Sequence, residues 1–61
     1  MLEYVKTILK KVSFDRKLFE KELLKAIASL IPKEIIMLRD WCYNKFGAMY
    51  KSILDRCFAM A

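Results

Sequence analysis

Met37–Gly47 reads MLRDWCYNKFG, and its eleven residues hold a thiol, three aromatic rings and three ions. Advancing about 100° per residue, as an α-helix does, aligns Ile35, Leu38, Cys42 and Phe46 on one line. Met37 and Trp41 flank that line on one side, Ile36 and Tyr43 on the other. Only Lys33, Asp40 and Asn44 are left as a clean polar strip. The apolar arc exceeds half the circumference, and a helix this apolar must be covered on more than one side.

The neighbouring residues delimit the helix. Pro32 suits its first position, because the missing N–H would have no partner there and the ring presets a helical φ. Ile31, as the residue before proline, is expected to be extended. Gly47 can adopt the left-handed conformation that closes a helix C-terminus. The spacing therefore predicts a third helix over about 32–45 and a fourth over 48–59. In the fourth, Tyr50, Ile53, Leu54, Cys57 and Phe58 recur at helical intervals and carry Cys57 on the apolar stripe.

Upstream, Leu2, Val5, Ile8, Leu9 and Val12 share one side of a segment whose other side carries Glu3, Lys6, Lys10 and Lys11. This predicts a helix over 2–12. A second follows over 16–30, with Phe19, Leu23, Ala26, Ile27 and Leu30 on its main stripe and Leu24 and Ile31 widening it. Asp15 is the expected N-cap, with Ser13 competing, and Phe14 is placed to staple onto Phe19. One glycine and one proline leave almost no material for linkers, and no alternating strand pattern occurs. The predicted fold is an all-α bundle of three to four short helices forming a single domain over 1–61.

A chain of 61 residues buries only about 60% of the surface its unfolded form exposes. Small domains compensate with disulfides, metals or oligomer interfaces. Cys42 and Cys57 are fifteen residues apart, form no CxxC pair and have no histidine to complete a zinc set. No cofactor or metal is expected. Lysines recur from Lys6 onward without an apolar leader segment, so the thiols are read as reduced and the location as cytoplasmic. The longest uncharged stretch, Ala26–Pro32, has seven residues, against about 20 for a bilayer span. Apolar and aromatic residues nevertheless make up 57% of the chain.

A second copy is the simplest cover for that surplus, most often about a two-fold axis. Met37, Trp41 and Tyr43 are the interface candidates, since aromatic residues and methionine bury much area per side chain. The competing reading is that they close the monomer core. Catalysis has little material: no histidine can activate either cysteine, Glu20 and Glu22 point to different faces, and a single glycine makes no phosphate loop. The reading is a non-enzymatic protein–protein interaction module that binds itself first and also suits another protein.

Two other classes compete. The net charge is +5, and Lys17, Lys21 and Lys25 form a basic line on the second helix that could meet nucleic acid. The excess is diffuse, however: residues 1–25 carry seven positive and four negative groups, the remainder five and three. A solvated face accounts for such lysines better than a nucleic-acid site does. In size, lysine content and its single tryptophan the chain also resembles cationic membrane-active helical peptides such as bacteriocins, although seven acids and capping signals favour a water-soluble fold.

Overall fold

The Asp15 carboxylate accepts hydrogen bonds from the backbone amides of Lys17 and Leu18, at 3.0 and 3.1 Å. It satisfies two of the donors that every helix start leaves free, and so separates α1 (Leu2–Val12) from α2 (Arg16–Ser29). Ser13, the competing cap, instead turns its hydroxyl back onto the Lys10 carbonyl. In this computed structural model, which describes residues 1–59, α3 (Pro32–Ala59) completes the bundle. Pro32 opens α3 as expected, and the Ile31 carbonyl accepts the first bond, from the Ile35 amide. Leu30, which caps the end of α2, is extended (φ −88°, ψ 150°). The second helix thus ends one residue earlier than predicted.

The principal departure from the sequence reading is at Gly47. The helix passes through it without a positive φ, and no separate fourth helix begins at residue 48. The backbone instead leaves helical values three residues later, at Tyr50 (φ −124°, ψ 29°). A straight helix of 28 residues would be about 42 Å long, whereas the longest dimension of the molecule is 26 Å. The helix is therefore bent into two limbs. Tyr43 and Phe58 meet across the bend with ring centroids 6.5 Å apart.

Contacts from outside the helix hold the bend. The Tyr50 hydroxyl donates to the Ser13 carbonyl at 2.5 Å, and its ring stacks on Phe19 at 4.7 Å. Phe46 meets the same Phe19 ring edge-on at 5.0 Å. Around this aromatic centre lie Val5 and Leu9 from α1, Leu23, Ala26 and Leu30 from α2 and its end, and Leu38, Cys42, Ile53, Leu54 and Cys57 from α3. The buried line expected on the third helix is present, with Ile35 half-buried at its start.

The chain runs up and down. The α1–α2 turn and the bend of α3 lie at one end, joined by the Ser13–Tyr50 bond. At the other end Met1 of α1 borders the same groove as Ser29 of α2, and Pro32 borders one with Phe58. An ion pair of 2.8 Å between Glu20 and Arg56 ties α2 to the second limb. The expected staple is absent: Phe19 is wholly buried and Phe14 is 80% exposed. The ring takes the centre of the core, and nothing of it is left at the surface for Phe14 to cover.

Candidate interaction surface

Covering α3 on its inner side leaves apolar side chains exposed on both flanks of its first limb. Ile36 and Met37 remain about half exposed, at 52% and 51%, and Ile31 just before the helix is 59% exposed. Pro32, Ile35, Ile36, Arg39 and Phe58 line a groove of about 290 Å³ between the start of the first limb and the end of the second. Among the described residues Arg39 is the only charged side chain in the lining, and its guanidinium is 3.6 Å from the neighbouring Asp40 carboxylate.

The three interface candidates do not form one patch. Met37 and Trp41 lie a turn apart on the same flank, but Trp41 is half-buried, with the Phe46 ring against it at 5.6 Å and the Lys6 ammonium 5.6 Å from its centroid. Such a cation over an indole face is an attractive pairing, and it gives the tryptophan an intramolecular partner on either side. Tyr43 lies on the opposite flank, where its hydroxyl donates to the Asp55 carboxylate of the second limb. That hydrogen bond, which holds the proton on the phenol, is the main reason the Tyr43 pKa is raised. Ile31 and Ile36 are the exposed members that the candidate set omitted. Their signal in the sequence is the run IPKEII (residues 31–36), which places apolar side chains at a helix start on both sides of the inward line.

The remaining surfaces are less specialised. Lys17, Lys21 and Lys25 are all exposed on the outside of α2, and Lys25 lies 3.8 Å from Glu22. A second groove, between α1 and α2, is lined by Met1, Tyr4, Ile8, Glu22, Lys25 and Ser29 among others and has a volume of about 200 Å³. That is below the roughly 300–1,000 Å³ of small-molecule sites. Both cysteines lie in the core. Burial, followed by the proximity of Cys57, pushes the Cys42 thiol up from 9.0 to about 12. Burial likewise raises Cys57. A thiol held protonated in this way is a poor nucleophile. Among the described residues no group of three or more His, Cys, Asp or Glu side chains is placed to hold a metal ion. No helix among them is long and apolar enough to cross a membrane.

These features define a class, a three-helix protein with exposed apolar side chains at the start of its longest helix. No protein-family model, curated protein or solved structure matches the chain.

Proposed function

We propose that the protein is a non-enzymatic helical interaction module that self-associates, with a second copy covering the apolar flank at the start of α3. The observation that carries this reading is the exposure of Ile31, Ile36 and Met37, each more than half exposed, at the start of α3, where Ile36 lines a groove whose described lining has a single charged side chain, Arg39. A two-fold arrangement brings the same patch together twice, so that Ile36 of each copy can enter the groove of the other. Large apolar side chains grouped in this way drive association by leaving water, at about 25 cal/mol per Å² of apolar surface removed. The protonated core thiols add support for a binding role over a catalytic one.

The test uses Ile36→Glu combined with Met37→Glu. Both side chains are exposed, so the change leaves the core intact. The double variant is expected to keep the helical far-UV spectrum while its mass in solution falls to that of one chain. A mass identical to that of wild type, with wild type above one chain, refutes this surface as the site of association.

A further inference from the structure

We propose that the end of the bundle formed by the α1–α2 turn and the bend of α3 docks on an anionic membrane surface. Phe14 stands at the tip of the turn with 80% of its surface exposed, the largest value among the exposed large hydrophobic residues. Met49, 68% exposed, immediately precedes Tyr50, whose hydroxyl is bonded to Ser13 next to Phe14. Two apolar side chains thus project from one end of the molecule.

Cations flank Phe14 along the chain. Lys10 and Lys11 close α1, Arg16 and Lys17 open α2, and all four are exposed. The one acid in this segment, Asp15, is engaged with the amides of Lys17 and Leu18. Residues 10–17 therefore carry a local charge of +3 out of a total of +5 for the whole chain. The turn between α1 and α2 sets this stretch at one end of the bundle.

Exposed cations on both sides of a projecting phenylalanine suit a bilayer interface. Anionic headgroups attract Lys and Arg, and aromatic rings settle at headgroup depth with their apolar faces toward the acyl chains. Nucleic acid fits less well. The tip projects and offers no groove for a backbone, and the Ser13 hydroxyl that could reach a base edge is bonded to the Lys10 carbonyl. The site is also independent of self-association, because the flank at Ile31–Met37 begins α3 at the opposite end of the bundle from the bend.

Vesicle flotation of the full chain tests the proposal, with vesicles of phosphatidylcholine mixed with phosphatidylglycerol and vesicles of phosphatidylcholine alone. Wild type is expected to float with the anionic vesicles, less so as salt rises, and to remain below with the neutral ones. Phe14→Ser, at a position outside the core, should weaken partitioning at least about tenfold, from the loss of one buried aromatic side chain. Lys10→Gln with Lys17→Gln should weaken it about fivefold per charge. The Ile36→Glu/Met37→Glu variant should float like wild type. Failure of wild type to float with anionic vesicles overturns the proposal, and so does undiminished flotation of Phe14→Ser. Displacement of the protein from the vesicles by an equal concentration of a DNA or RNA oligonucleotide would also overturn it, in favour of nucleic acid.

Discussion

Replacing Gly47 with alanine should stabilise the protein. Gly47 lies inside α3 with no positive φ, and a Cβ built on it meets nothing within 4 Å. Alanine exceeds glycine in a helix interior by about 0.8–1.0 kcal/mol, partly because the unfolded alanine chain has less freedom to lose. No contact is gained and no clash introduced, so the expected increase is close to that figure, about 1 kcal/mol. At about 0.05–0.15 kcal/mol per residue, a domain of this length has about 3–9 kcal/mol in all, and the midpoint of thermal unfolding should rise by about 4–8 °C. If Gly47 instead closed a helix in the left-handed conformation, alanine would cost about 1–2 kcal/mol, and the sign would reverse. Urea denaturation followed by far-UV circular dichroism distinguishes the two, with wild type and variant at one fixed protein concentration, because association shifts apparent stability. A lower midpoint for Gly47→Ala would refute the continuous helix through residue 47 and restore the break expected from the sequence.

Two further outcomes follow from the core. Tyr50→Phe keeps the ring on Phe19 but removes the donor to the Ser13 carbonyl, and should cost about 1 kcal/mol; an unchanged urea midpoint would mean that this bond does not hold the turn to the bend. The Cys42 thiol, raised from 9.0 to about 12 in the fold, stays protonated at a pH where the unfolded chain has already lost that proton. Its contribution to stability is therefore complete below about pH 9 and is lost progressively as pH rises toward the folded value. Cys42→Ala should reduce the slope of stability against pH in that window, and an equal slope in both proteins would contradict the assignment.

The local features were legible in the sequence. The limits of α1, the Asp15 cap, Pro32 at the start of α3 and the inward line Leu38–Cys42–Phe46 all depend on residues within a turn or two of each other. The features that depend on distant contacts were not. The bend falls at Tyr50 because its hydroxyl reaches a carbonyl 37 residues earlier and its ring finds Phe19, whereas a glycine three residues upstream carried the stronger local signal. Phe14 loses its staple for the same reason, since Phe19 is drawn into an aromatic cluster with residues of α3. Periodicity placed Trp41 and Tyr43 on opposite flanks of the third helix correctly, but it could not supply Lys6 for one or Asp55 for the other. With Trp41 and Tyr43 engaged in this way, Ile31, Ile36 and Met37 are the exposed large apolar residues at the start of α3. The basic stretch of residues 10–17 is contiguous in the sequence, and what the fold adds is its place at the same end of the bundle as the bend of α3.

Self-association through the first limb of α3 is tested most directly by the mass in solution, measured by light scattering over a hundredfold range of concentration under reducing conditions. The expected result is a mass that rises to twice the 7.3 kDa of one chain. A mass of one chain at every concentration would contradict it.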